Sequence, residues 1–156
     1  MTTPTPAFPA SLWLRLLAGI YDLLPLLGLW LAAAASAVLL TGGALDTHTL
    51  TGKLLVQAMV LAVTALYFVI SWTRGGQTIG MRAWRLRVVR GDGGPIDLAR
   101  ALLRFPVALL SLLLFGAGFW WSLLDKQQRT WHDRAAGTVV VRLEKIRLEK
   151  TPRKTA

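Results

Sequence analysis

Residues 11–40 read SLWLRLLAGIYDLLPLLGLWLAAAASAVLL, and this stretch is apolar for nearly its whole length. A helix over residues 12–40 is roughly 43 Å long at about 1.5 Å per residue, which exceeds the hydrocarbon thickness of a bilayer, about 30 Å. Two charges interrupt the run, Arg15 near its start and Asp22 two turns further in. The stretch therefore predicts a membrane-spanning helix that carries a polar site.

These two charges are expected on one face of the helix because seven positions separate them. Arg15 lies where a long cation can reach the lipid headgroups, whereas Asp22 lies below the interface and needs a partner inside the protein. Ala18 and Gly19 between them are small enough to let another helix approach. Pro25 removes a helical hydrogen bond close to Asp22 and frees polar backbone there. We expect this face to point into protein.

The composition is typical of an integral membrane protein. The chain has 156 residues, of which 54% are hydrophobic, and its mean hydropathy is +0.49. The absence of cysteine excludes disulfides, thiolate metal sites and cysteine nucleophiles. The net charge of +10 is confined to loops and ends. This distribution favours the bilayer and its anionic lipid headgroups as partners, and no nucleic-acid partner is expected.

A cleaved signal peptide is the alternative for the first stretch, since AAAASA supplies small residues of the cleavage type. The apolar run is much longer than the apolar core of a signal peptide, and Asp22 is out of place in a segment that is removed. We therefore expect the span to be retained.

Residues 54–72 form a second apolar run without a charged residue, which predicts a second span. The loop between the two spans has one Lys and no Arg. Five arginines follow the second span: Arg74, Arg82, Arg85, Arg87 and Arg90. Because cytoplasmic loops are enriched in Lys and Arg, both outer ends of this pair are predicted to lie in the cytoplasm.

For the third apolar region, residues 99–124, the length and the charge of the segment that follows predict different topologies. A single crossing would leave the tail outside, yet residues 125–156 carry nine Lys and Arg against four acids. The FGAG sequence at residues 115–118 divides the region into two pieces that are each too short for a comfortable span. We predict a helical hairpin that returns to the cytoplasmic side, with a single crossing as the alternative.

A short β-ribbon is predicted on the cytoplasmic side. Apolar and basic side chains alternate in AWRLRVVR, residues 83–90, with the period of a half-buried strand. TVVVR, residues 138–142, is a second β-branched run that can pair with it. Two strands alone are marginal, so the alternative is that both segments lie on the headgroups as irregular amphipathic stretches.

The segment DKQQRTWHDRAAGTVVVR, residues 125–142, concentrates charge without the pattern of a catalytic or metal site. One His beside carboxylates supplies too few ligands for zinc or iron. No nucleophile motif and no glycine-rich phosphate loop occurs in the sequence. We therefore expect no enzymatic activity, no metal and no cofactor.

Three motifs taken together resemble the RDD family of small bacterial membrane proteins. They are RLLAGIYD at residues 15–22, GQTIGMRAWRLRVV at residues 76–89 and LLDKQQRTWHDRAAGTVVV at residues 123–141. They occur in the order of the family and cover most of residues 11–142. The family is named for one arginine and two aspartates, which correspond by position to Arg15, Asp22 and Asp133.

This resemblance implies a multi-pass protein of the bacterial inner membrane and leaves two functions open. One is transport of a small ligand or a cation, including sodium/proton exchange, through a site around Arg15, Asp22 and Asp133. A protein of this size would need to form a homo-oligomer to enclose such a pathway. The other is a non-transporting scaffold or anchor, whose charges are structural and whose basic cytoplasmic face binds a partner or anionic lipid.

The predicted fold is an all-α membrane protein. It is a small helical bundle of two full transmembrane helices, with a third apolar region as a hairpin and a short cytoplasmic β-ribbon. Residues 1–10 are predicted as a disordered lead, residues 11–142 as the membrane domain, and residues 143–156 as a basic tail.

The predicted site is an ionic cluster. Arg15 is expected within about 4 Å of Asp133, because a paired Arg and Asp can fix the third region against the first. Asp22 is expected to approach the same guanidinium or one of the third-helix arginines. Arg100 and Arg104 share a helix face at i, i+4, and they either reach lipid phosphate or pair with Asp22.

Overall fold

The structure is a computed structural model that describes residues 7–43 and 46–143, most of them helical. The helices are α1 (Leu12–Thr41), α2 (Leu50–Gly75), α3 (Ile79–Ala83), α4 (Leu98–Leu113), α5 (Ala117–Trp120), which continues as a 3₁₀ turn (Trp121–Leu123), and α6 (Trp131–Ala135). The strands are β1 (Ala7–Pro9), β2 (Leu86–Arg90) and β3 (Thr138–Leu143).

Helices α1 and α2 are both long and apolar enough to cross a bilayer, as predicted. Many of their large apolar side chains are exposed, as expected for helices that face lipid. Deep in the pair, the Trp30 indole Nε1 donates to the Thr64 hydroxyl at 3.0 Å. This bond gives the indole N–H a partner that lipid hydrocarbon cannot provide, and it links α1 to α2.

The third apolar region is broken where the glycines predicted a break. Helix α4 ends at Leu113 and α5 begins at Ala117, and the two are bent by 106°. Phe115 and Gly116 between them both have positive φ, +53° and +75°. A left-handed glycine is the usual way to end a helix, so the sharp turn follows from the local sequence.

The sheet is antiparallel with strand order β1-β3-β2, so β3 lies in the centre. The predicted ribbon of β2 and β3 is confirmed, but the prediction of disorder for residues 1–10 is wrong at β1. Three residues are too few to show a strand period, and Pro9 is tolerated because β1 is an edge strand. Residues 1–6 of the predicted lead and 144–156 of the predicted tail lie outside the described residues.

We call the sheet together with α3 and α6 the platform; it comprises residues 7–9, 79–90 and 131–143. The platform packs on the ends of the apolar helices, and its buried apolar sheet residues are Leu86, Val88 and Val140. The same core includes residues from α1, α2, α3, α4 and the intervening loops, namely Ala10, Ala18, Val69, Trp72, Met81, Ile96 and Ala101. This core brings the ends of α1, α2 and α4 together around the charged residues.

Candidate functional site

Arg15 binds three separate parts of the chain from the first turn of α1. Its Nη1 donates to Oδ2 of Asp133 at 2.5 Å, its Nη2 donates to the Gln128 carbonyl at 2.8 Å, and its Nε donates to the Ala10 carbonyl at 3.0 Å. The Arg15 and Asp133 side chains are 6% and 0% exposed. The predicted contact between Arg15 and Asp133 is therefore present, and it is sheltered from water.

Asp133 is positioned by the start of α6. Thr130 is the N-cap, and its hydroxyl accepts from the Asp133 amide at 3.3 Å while Oδ2 of Asp133 accepts from the Thr130 amide at 3.1 Å. This reciprocal capping box follows from the local sequence TWHD, in which Asp stands three residues after Thr. The orientation of the carboxylate is thus fixed in part by the Thr130 backbone amide, independently of the arginines.

Arg104 completes this site from α4. Its Nη1 donates to Oδ1 of Asp133 and, at 2.6 Å, to the Thr138 hydroxyl. The guanidinium carbon lies 5.1 Å from the centroid of a Trp72 ring, a cation–π contact. Arg104 therefore pairs with Asp133 and not with Asp22, and at 3% exposure it does not reach lipid phosphate. Both predictions made for it are wrong.

We call Arg15, Arg104 and Asp133 the ionic cluster. Two cations meet one anion in a space that excludes water, so the cluster carries a net positive charge. Burial favours protonation of Asp133, but Arg104 and Arg15 overcome that effect and hold its pKa far below the usual range. Asp133 is consequently a carboxylate that links α1, α4 and α6.

His132 lies beside the ionic cluster and is 4% exposed. Its ring is 4.9 Å from that of Phe119, and Nδ1 has no hydrogen-bond partner among the described residues. Burial, assisted by the positive charges of Arg104 and Arg15, lowers the pKa of His132 to about 3. The imidazole is therefore neutral at physiological pH.

Asp22 occupies a separate site and has no arginine partner among the described residues. Its Oδ1 accepts from the Tyr67 hydroxyl at 2.6 Å and from the Gly80 amide at 2.8 Å, and its Oδ2 accepts from the Thr78 hydroxyl at 2.6 Å. The residue is 2% exposed. The expectation that Asp22 approaches Arg15, Arg100 or Arg104 is wrong.

The physical reason is the close approach of α3 to α1. Ala18 is buried, and a β-carbon on Gly80 would overlap the Ala18 carbonyl oxygen, so the two backbones are in contact. Asp22 therefore faces the start of α3 and not the arginines of the ionic cluster. The predicted close approach occurs at Ala18, whereas Gly19 faces open space.

Tyr67, Thr78 and Gly80 are site residues that the sequence analysis did not identify. Both hydroxyls also accept a bond from the backbone of α3: Tyr67 from the Ile79 amide at 3.2 Å, and Thr78 from the Met81 amide at 3.1 Å. Each hydroxyl proton is thereby directed at Asp22. The one available signal was Thr78, a helix N-cap residue within the GQTIG motif.

Arg100 lies outside both sites. It pairs with Asp97, the N-cap of its own helix, and both side chains are exposed, at 40% and 46%. Its inclusion in the predicted cluster is therefore wrong, because the first turn of α4 turns Arg100 toward a local acid.

Neither site has the composition of a metal centre. No group of three or more His, Cys, Asp or Glu side chains with suitable spacing occurs within residues 7–43 and 46–143. The expectation of no metal and no cofactor stays a prediction.

Comparison with known proteins agrees with the motif assignment. The model of the RDD family matches residues 9–137. The chain is 32% identical over 141 residues to the uncharacterized protein YckC of Bacillus subtilis (strain 168), an alignment that covers 85% of this chain and 83% of that protein. No solved structure matches.

Proposed function

Because this chain belongs to the RDD family, we propose that it is a non-transporting membrane anchor whose buried charges hold the platform against the two apolar helices. The platform presents a basic face to anionic lipid headgroups, or to a protein partner, at the cytoplasmic surface of the bacterial inner membrane. The proposal assigns the chain no enzymatic activity, no cofactor and no nucleic-acid partner.

This proposal rests on the hydrogen-bond partners that the two buried carboxylates already have. Asp133 accepts from two arginines and one amide, and Asp22 accepts from two hydroxyls and one amide. A cation site needs carboxylate oxygens that face an open position. A cation beside Asp133 would also meet the positive charge of Arg15 and Arg104. Carboxylates with these partners fix the geometry of the chain.

The proposed topology has α1 and α2 as complete crossings and both termini in the cytoplasm. The start of α1 and the end of α2 lie near one another, because Asp22 and Tyr67 are hydrogen-bonded and both contact α3. Arg74 and Arg82 are exposed at this end. The enrichment of cytoplasmic loops in Lys and Arg favours the cytoplasm for it.

Sodium/proton exchange is the second candidate, and the position of Asp22 favours it. A buried carboxylate in a spanning helix, bonded to two hydroxyls, is a group through which a proton can pass. Exchange would require Asp22 to release at least one donor, and a homo-oligomer would be needed to enclose a pathway.

Flux measurements in proteoliposomes distinguish the two candidates. The purified chain is reconstituted with a pH-sensitive dye inside, and a sodium gradient is imposed. We expect no proton movement beyond that of protein-free vesicles, while an ionophore that exchanges sodium for protons gives the full signal. Flux that is present in the wild type and lost in Asp22→Asn would overturn the anchor proposal.

A further inference from the structure

A small surface cavity lies where α2 ends and the chain turns into α3. Its volume is about 200 Å³, and its polar lining comes from Tyr67, Ser71, Arg74, Gln77 and Arg82. Drug-sized ligands occupy pockets of roughly 300–1,000 Å³, so this cavity suits a smaller polar group. It is separate from the ionic cluster and adjoins the Asp22 site through Tyr67.

Two cations without an acid flank the cavity. Arg74 and Arg82 are exposed, and neither forms an ion pair or a side-chain hydrogen bond with any of the described residues. By contrast, Arg90 and Arg100 are paired with Asp92 and Asp97. The charge at the cavity is therefore not neutralised by the part of the chain that the structure describes.

The guanidinium of Arg82 reaches back over the last turn of α2. A β-carbon built on Gly75 would lie 3.7 Å from Nη2 of Arg82. Gly75 follows Arg74 directly, and both arginines line the same cavity. An anion in the cavity would therefore be attracted by both charges.

The backbone that carries these arginines is fixed. Gly76 caps α2 in the left-handed conformation with φ +68°, and its amide donates to the Trp72 carbonyl at 2.9 Å. The Gln77 side chain donates to the Leu86 carbonyl at 2.6 Å, which ties the turn to β2. The backbone beside the cavity is thus preorganised, which lowers the entropy cost of binding.

We propose that Arg74 and Arg82 form a binding site for a phosphate group at the membrane surface, as carried by an anionic lipid headgroup or by free phosphate. The proposal deepens the proposed function, on which it rests, by giving the basic face a defined ligand. The guanidinium fork matches phosphate oxygens in pairs. The end of an apolar helix long enough to span the bilayer is also the depth at which lipid phosphates lie.

Calorimetric titration of the full chain in a neutral detergent tests the site with three probes: short-chain phosphatidylglycerol, short-chain phosphatidylcholine and inorganic phosphate. The test variant is R74Q/R82Q. The matched control is R90Q/R100Q, which removes the same charge at arginines that already have acid partners. We expect the test variant to bind phosphatidylglycerol roughly 25-fold more weakly, since each of the two arginines removed contributes about fivefold. The control should bind as the wild type does.

The probes separate the two sources of phosphate. Loss of phosphatidylglycerol binding alone supports a lipid headgroup, and parallel loss of inorganic phosphate binding supports recognition of phosphate itself. Phosphatidylcholine should bind more weakly than phosphatidylglycerol in the wild type. Equal affinities in wild type and R74Q/R82Q for both anionic probes would overturn the site, as would an equal loss in the control.

Both arginines are exposed and form no side-chain bond within residues 7–43 and 46–143, so the test variant should fold, which thermal unfolding and gel filtration check. If it does not, the single variants R74Q and R82Q are titrated instead, and each should weaken binding. This titration does not depend on the flux assay. Flux without phosphate binding would overturn both proposals. If neither flux nor phosphate binding is observed, only the phosphate site is overturned.

Discussion

Arg15 and Asp133 lie 118 positions apart in the sequence and are joined by a 2.5 Å hydrogen bond between Nη1 and Oδ2. Neither side chain is more than 6% exposed. The bond holds the start of the first apolar helix to the short helix that precedes the last described strand. Arg104 pairs with the same carboxylate.

Asp133→Asn should destabilise the folded protein strongly, because it leaves two arginines buried without a counter-charge. The loss of one partner from a buried pair typically costs about 3–5 kcal/mol. Thermal unfolding in detergent measures the effect. The control is Arg100→Gln, which breaks an exposed pair and should cost at most about 1 kcal/mol. Similar losses in the two variants would contradict the sheltered character of the ionic cluster.

Asp22→Ala should couple energetically to the residues that donate to it and not to the arginines. Removal of the Tyr67 or Thr78 hydroxyl should cost less in the Asp22→Ala background, with coupling of about 0.5–3 kcal/mol. Double-mutant cycles with Tyr67→Phe and Thr78→Val measure this coupling. The corresponding cycle with Arg104→Gln should be additive, and coupling there would show that Asp22 belongs to the ionic cluster.

Gly80→Ala should weaken the packing of α3 on α1, because the added methyl group would overlap the Ala18 carbonyl oxygen. Overpacking of this kind typically costs about 1–3 kcal/mol. The control is Gly19→Ala, whose methyl group meets open space. Within a helix that change should be neutral or stabilise by roughly 0.5–1 kcal/mol. Thermal unfolding of both variants gives the comparison, and equal stabilities would contradict the backbone contact.

Stability should fall as the pH is lowered from about 6.5, because His132 is neutral in the folded state. Its folded pKa is about 3, below the usual histidine pKa of 6.5, so the unfolded chain binds the extra proton across this interval. Each pH unit should cost up to about 1.4 kcal/mol. Below about pH 4 protonation of Asp133 adds to the loss, because its folded pKa is also lowered.

His132→Gln isolates this effect because glutamine does not titrate. Unfolding temperatures of wild type and variant are measured between about pH 7 and pH 4.5, an interval that lies above the titration of Asp133. The curve of the variant should be flatter over that interval. Parallel curves would show that the imidazole is not the group that titrates.

Reporter fusions at Ala156 test the proposed topology. The excess of Lys and Arg in residues 125–156 predicts a cytoplasmic C-terminus, so a reporter that is active only in the cytoplasm should give signal. Alkaline phosphatase, which is active only outside, serves as the reciprocal fusion. An active phosphatase fusion would mean that the third apolar region crosses the membrane once.

The bond between Arg15 and Asp133 could be predicted because the resemblance to the RDD family singles out both residues, and because the predicted hairpin returns the chain to the start of α1. A sheltered arginine also needs a carboxylate. The break after α4 could be predicted from the local sequence, since Gly116 and Gly118 lie between two apolar pieces.

The partners of Asp22 could not be predicted in the same way, because they are neutral. A hydroxyl such as that of Tyr67 or Thr78 fits many environments, and a backbone amide such as that of Gly80 leaves no trace in the sequence. Strand β1 could not be predicted from the sequence for a related reason. It is three residues long, and its pairing with β3 depends on the tertiary structure.

The order of the strands has a consequence for how the protein is made. Strand β3 is the last of the three to leave the ribosome, yet it lies between β1 and β2. Asp133 precedes β3 by only a few residues, so both the sheet and the ionic cluster must wait for the same late segment. During synthesis Arg15 and Arg104 are already present and have no counter-charge from Asp133. A chain that stops before residue 130 therefore lacks both the central strand of the sheet and the carboxylate of the ionic cluster.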